Sequence, residues 1–239
     1  MQDKFYREWV KSSNGVHFQV QIEETDLFIS ADRDIKEQAY SCIKKQRKLL
    51  KDYSNNNPSF LRSLNPIQVD SSAPLIVQEM ARAALVAGVG PMAAVAGAMA
   101  EITGKELSEL SKNIIIENGG DIYINSTADS VVALYAGGSS LSGQIGLKLK
   151  RDAMPLGVCT SSASVGHSLN FGKTDALTVV ADSAAIADAL ATSISNMIKS
   201  QSDIEHALKY AQDIGCIKGL VVIIDEKIAF YGDIEIVKL

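Results

Sequence analysis

Val16, Phe18, Val20 and Ile22 alternate with polar neighbours, the period of a strand that turns one face into a core. Two further strand-like runs, at residues 5–11 and 27–31, flank it, and Asn14 with Gly15 supplies a hairpin turn between the first two. From residue 33 to 53 the period becomes helical, with Ile35, Ala39, Ile43, Gln46 and Leu50 in step, and residues 54–58 end the helix. Residues 59–72 read as a loop with one helical turn at 60–64. Pro74 suits the first turn of a helix running to Ala87, which Gly88 and Gly90 interrupt. Pro91 opens a second helix rich in Ala and Gly, whose small side chains predict a central, closely packed position. A short helix is expected within residues 104–111. Strands at 113–117 and 121–125 then flank Asn118, Gly119 and Gly120, a hairpin turn in which two glycines also let the main chain approach a ligand. Strands at 131–136 and 144–150 flank a Gly- and Ser-rich loop. It lacks the lysine of a phosphate-binding loop and reads as a flexible hairpin.

The stretch from 157 to 196 carries the most chemistry. Met154, Leu156 and Val158 lead as a strand into Thr160, Ser161, Ser162 and Ser164, and then to His167. A buried strand is expected at 176–181 and a helix at 183–198, where Ile186, Leu190, Ile194 and Met197 recur at helical spacing and Asp182 or Ser183 caps the start. Asp188 is the only charged side chain between Asp182 and Lys199, and Thr192 lies one turn further on the same face. Two hard oxygen donors so placed suit Mg²⁺ or Ca²⁺ completed by carbonyls, water or a phosphate. Periodicity alone favours a plainer reading, a solvated stripe of Asp188, Thr192 and Ser195, although so Ala-rich a face argues for close packing instead. A last helix at 204–214 precedes strands at 220–224, 228–231 and 234–237, read as a closing meander.

Strands thus cluster in pairs and threes with helix pairs between them, which predicts an α+β fold with antiparallel sheets, not a doubly wound parallel one. One domain over residues 1–239 is expected, with two intertwined α+β halves as the other possible layout. The 239 residues are 46% hydrophobic and 21% charged, enough apolar content for a proper core and against disorder. A net charge of −5 disfavours nucleic acid as a partner, and the run Lys44, Lys45, Arg47, Lys48, Lys51 reads as a solvated helix face. No leader-like or membrane-length apolar run is found, so a cytoplasmic, non-membrane protein is expected. Cys42, Cys159 and Cys216 are too few and scattered for a disulfide framework.

The blocks ENGGDI (117–122), CTSS (159–162) and TVVADSAAIADALAT (178–192), with GVGPM (88–92) and AGAMAE (96–101) in support, resemble the ApbE family of FAD:protein FMN transferases. Their order agrees from about Cys42 to Asn196, and the closest likeness is to a shorter branch of that superfamily. The resemblance implies a T-fold-like α+β protein that binds a flavin nucleotide, FAD or FMN, with Mg²⁺, and a protein substrate for flavin transfer. It implies metal ligation by Asp188 and Thr192, and a flavin- and metal-proximal block at Asn118, Gly119, Gly120 and Asp121. Thr160, Ser161 and Ser162 are further candidate contacts to phosphate or substrate. A small-molecule nucleotide ligand and a homo-oligomer are expected. Two departures weigh against transfer itself. Glu101 stands where the transferases carry a lysine, which exchanges a cation near a polyphosphate for an anion, and GHSLNFGKTD (166–175) replaces their HIIDPRTG block. Two other readings stay open: thiol chemistry at Cys159 with His167 nearby, since the short branch resembles one tied to sulfide assimilation and homocysteine formation, and a non-catalytic assembly protein.

Overall fold

In the computed structural model, which describes residues 15–162 and 172–239, the alternating segments join into one antiparallel sheet of eight strands. Its strands are β1 (Val16–Ile22), β2 (Thr25–Ala31), β3 (Ile114–Asn118), β4 (Asp121–Asn125), β7 (Leu156–Ser161), β8 (Ala176–Ala181), β9 (Ile217–Ile224) and β10 (Lys227–Gly232), in that spatial order. A second sheet holds β5 (Ser130–Ala133), β6 (Ile145–Leu149) and β11 (Glu235–Lys238), with β6 in the middle. The expected antiparallel α+β architecture is therefore present. The strand expected at 5–11, Asn14 of its turn, and His167 lie outside the described residues.

Helices cover one face of the large sheet and the small sheet covers the other, because the central strands are apolar on both sides. Along β8, Leu177, Val179 and Ala181 pack into the helical core while Ala176 and Val180 pack into the core shared with the small sheet. Along β9, Leu220, Val222 and Ile224 take the helical side and Val221 and Ile223 the other. A strand sandwiched between two layers has no solvent face, so its sequence reads as an unbroken apolar run.

The helices are α1 (Lys36–Asn56), α2 (Pro58–Arg62), α3 (Leu75–Ala87), α4 (Val95–Leu107), α5 (Ala184–Met197) and α6 (Ile204–Asp213). Helix α1 buries Ala39, Ile43 and Gln46, with Ile35 buried just before it, and leaves Lys44, Lys45, Lys48 and Lys51 exposed as the charge pattern predicts. Gly88 ends α3 in the left-handed conformation at φ 69°. A 3-10 turn over Pro91–Ala94 then leads into α4, so that the two helices meet at a bend of 104°. Among the described residues no single helix is long and apolar enough to cross a membrane.

Two expectations are corrected. The short helix expected at 104–111 is the end of α4, which runs unbroken to Leu107; within it Gly104 lies against the Tyr123 ring, where a β-carbon would clash at 2.1 Å. The chain does not close as a meander. Strands β9 and β10 form a hairpin, but β11 leaves the large sheet and pairs with β6, where Ile236 stands opposite Leu147 and packs on the second core. The Gly-Ser loop joins β5 and β6 as an antiparallel hairpin, as expected, and within it Ser142 Oγ accepts the Ala136 amide at 3.0 Å and Ser139 Oγ donates to the Asp225 carbonyl at 2.5 Å.

Candidate carboxylate site between the central hairpin and two helices

The β3–β4 connection is the two-residue turn Gly119–Gly120, with φ of 68° and 106°, a conformation that residues with a β-carbon resist. Gly120 N–H donates to Glu117 Oε1 at 2.9 Å, and this fixes the tip of the hairpin. Immediately after the turn, Asp121 pairs across the ladder with Cys159 of β7. Residues directly opposite in a ladder project to the same face, and Cys159 belongs to the helical core, so Asp121 points towards the helices.

Helix α5 meets it there. Asp188 and Thr192 are 8% and 9% exposed and Ser195 is fully buried, which overturns the solvated-stripe reading. The Ala content of α5 permits close approach to α3, α4 and β7, so no face of its middle turns reaches water. Asp188 Oδ2 accepts the Gly97 amide of α4 at 2.8 Å, and the Ala96 amide adds to it. This contact needs a glycine: a β-carbon on Gly97 would sit 2.2 Å from the Ala184 carbonyl oxygen and 2.8 Å from Asp188 Cβ. Gly157 of β7 is similarly constrained, since a β-carbon there would sit 2.3 Å from Ala184 Cα.

Burial pushes the Asp188 carboxyl up to about 7, against the pull of the Gly97 and Ala96 amides. Asp121 is also pushed well above the usual carboxylate range, first by burial and then by the charge of Asp188, with Glu117 acting in the same direction. Hydrogen bonds from Cys159 and the Thr160 amide oppose this only in part. Two acids thus share a nearly dry space in which both cannot comfortably be ionised without a cation or a proton between them.

The remaining candidates divide. Asn118 is half-buried and its side-chain amide donates to the Ala96 carbonyl at 3.2 Å, tying the hairpin to the start of α4. Thr160 contributes main chain, not hydroxyl. One residue on from Cys159, its side chain lies on the opposite face, where Oγ1 hydrogen bonds Thr178 Oγ1 at 2.8 Å. Its hydroxyl therefore lies on the face of the sheet away from Asp188. Ser161 is buried and returns to the helical side of the strand; Ser162 is half-buried at the end of the described segment. Cys159 is fully buried, its Sγ lies within hydrogen-bond reach of both the Ala184 carbonyl, at 3.3 Å, and the Asp121 carboxyl, its one proton serving either, and burial with the neighbouring Asp121 and Asp188 charges pushes its thiol well up. That environment holds a protonated thiol, not the activated thiolate of the sulfur-chemistry reading. His167 lies outside the described residues.

Glu101 was legible in the sequence only as a departure from a pattern. It is 2% exposed, and its carboxylate is engaged at the start of α5. Its Oε2 accepts Ser183 Oγ at 2.7 Å and the Ala185 amide at 3.0 Å, and Oε1 pairs with Lys105 at 2.5 Å. Burial raises its carboxyl, but the bonds from Lys105, Ser183 and Ala185 outweigh that and hold it below the usual range. This anion is held by the first turn of α5 on one oxygen and by Lys105 on the other.

Comparison with known proteins agrees with this architecture. A family model described as "AbpE bacteria" matches residues 7–230. A UPF0280 protein of Methanocaldococcus jannaschii is 45% identical over 224 residues, covering 91% of each chain. A UPF0280 protein of Methanothermobacter thermautotrophicus is 47% identical over 194 residues, covering 79% of this chain and 75% of that one. Among solved structures, the ApbE protein of Thermotoga maritima superposes with a TM-score of 0.63 at 12% identity, covering 92% of this chain and 97% of that one. The flavin transferase ApbE of Vibrio cholerae gives 0.58 at 13% identity, covering 91% and 96%. At such identities the likeness is one of fold.

Proposed function

The chain belongs to the AbpE bacterial family and has the fold of ApbE proteins, and from that premise we propose that it binds a flavin nucleotide together with a divalent cation at the Asp121–Asp188 pair. The observation that supports this most is the pair itself: two buried carboxylates, from β4 and α5, near enough that the Asp188 charge raises Asp121, with a two-glycine turn just before Asp121. Nature seldom buries two acids together without a compensating charge, since each raises the cost of ionising the other.

The donor chemistry fits a hard cation. Asp121, Asp188 and the Thr192 hydroxyl are oxygen donors. Among the described residues no group of three or more His, Cys, Asp or Glu side chains is arranged as a cage. Remaining positions would fall to main-chain carbonyls, water and the nucleotide's own phosphates, the arrangement typical of Mg²⁺. When bound, such a cation neutralises pyrophosphate charge and polarises its bridging bond. The chain's own residues do the rest. The Gly97 and Ala96 amides orient Asp188, the Thr160 amide and Cys159 thiol orient Asp121, and the Gly119–Gly120 turn presents bare main chain towards a ligand. Flavin transfer to a partner is not part of the proposal, because Glu101 stands where the resemblance expects a lysine and is engaged by Ser183, Ala185 and Lys105.

The test is thermal melting and flavin fluorescence of the purified chain with FAD, with Mg²⁺, and with both. FAD plus Mg²⁺ is expected to raise the melting temperature more than the two separate shifts combined, and Asp188→Asn is expected to abolish the Mg²⁺-dependent part. Equal melting in all four conditions would sink the reading. The sulfur reading is less well supported, because the one candidate thiol is sealed beneath Ala184.

A further inference from the structure

Each of the two central helices begins on a carboxylate supplied by the other. The first turn of α4 donates its Gly97 and Ala96 amides to Asp188 of α5. The first turn of α5 donates its Ala185 amide to Glu101 of α4, and the N-cap Ser183 donates its hydroxyl to the same oxygen. One turn along α4, from Gly97 to Glu101, corresponds to a step back along α5 from Asp188 to Ala185, so the exchange fixes the register of the crossing. Unsatisfied amides at a helix start attract an anion, and both helices here are 13 residues or longer.

The two carboxylates are not equivalent. Glu101 already has an ammonium partner in Lys105 as well as its two α5 donors. Among the described residues Asp188 accepts the Gly97 and Ala96 amides and has no ammonium partner. One acid is therefore committed to holding the crossing, and the other is left available to a ligand.

We propose that Glu101 is a positioning residue for the Asp188 site: by holding the first turn of α5 to α4, it sets Asp188 where the α4 amides and a ligand can both use it. This rests on the cation-binding reading for its functional consequence, though not for its structural one. The described partners of Glu101 are Ser183, Ala185 and Lys105, not Asp188 or Asp121. Losing a residue that orients a metal ligand typically weakens metal affinity 10–100-fold.

Two readouts on the full chain separate the outcomes. The first is the Mg²⁺ dissociation constant in the presence of FAD, measured by calorimetry at a temperature where every variant is folded by circular dichroism. The second, needing no ligand, is the resonance and hydrogen exchange of the Gly97 amide in glycine-labelled protein. Glu101→Ala is expected to shift the Gly97 resonance, speed its exchange and weaken Mg²⁺ roughly 10–100-fold. Glu101→Gln, nearly isosteric, is expected to restore part of both and serves in place of the alanine variant should that not fold. Lys105→Ala, whose side chain is 56% exposed, is expected to leave both close to wild type. A general loosening would speed exchange along both helices, whereas positioning acts first at the Gly97 amide. An unchanged Gly97 amide in both Glu101 variants overturns the proposal, as does unchanged Mg²⁺ affinity in a wild-type background that binds. Should wild type bind no Mg²⁺ while the Gly97 amide still responds, the cation reading falls and the positioning of Asp188 stands.

Discussion

Asp188 and Asp121 are acids whose burial works against their own charge, and this makes stability depend on pH in an unusual direction. Their folded-state carboxyls titrate above the ordinary value of about 4, near 7 for Asp188, so between those values the folded chain holds protons that the unfolded chain has released. The pair's contribution to stability is fully present below the unfolded value and is lost as pH rises through the folded one. Glu101 is depressed instead, so its contribution is lost only as pH falls through its folded value, below this window. The melting temperature of the ligand-free chain is therefore expected to fall from about pH 5 to about pH 8, and Asp188→Asn is expected to flatten the decline. A melting profile in Asp188→Asn with the same slope as wild type would remove the buried acid as its cause. The sequence singled out Asp188 by its isolation among alanines. It gave no sign that Thr160 would turn its hydroxyl away, because that depends on the strand's pleat at its very end and on the partner Thr178.

At the scale of elements, the crossing of α4 and α5 depends on the absence of side chains. A methyl group at Gly97 would have to displace the Ala184 carbonyl, which is main chain and cannot swing aside. Gly97→Ala is expected to cost about 1–3 kcal/mol in urea denaturation, the usual range for overpacking a well-filled interior. It should also weaken the Mg²⁺ response, since the same amide holds Asp188. The small-residue content of α4 was legible and correctly marks a buried helix. Which glycine does the work was not legible, since that depends on a contact 91 residues away in the chain. The same holds for Glu101, whose partners at Ser183 and Ala185 are 82 and 84 residues distant.

Across the whole molecule, the large sheet separates two cores, one shared with the helices and the site, the other shared with β5, β6 and β11. Leu147 is fully buried in the second core, opposite Ile236. Leu147→Ala is expected to cost about 2–5 kcal/mol in unfolding free energy. Its Mg²⁺ and FAD binding should match wild type at temperatures where the variant is folded, because the sheet stands between the cavity and the site. Altered affinity in the folded variant would show that the two faces are coupled.

What the sequence determined by itself is local. Periods of two and 3.6, a double-glycine turn and an N-cap serine placed the strands from 16 onward, the two helix pairs and the hairpin before Asp121, since each follows from contacts within a few residues. The tertiary structure decided which strand joins which sheet, sending β11 to β6, and which faces are dry, turning an apparent solvated stripe into a buried acid. It also gave Glu101 its partners. These outcomes depend on residues far apart in the chain meeting at fixed register, and no local period encodes such a meeting.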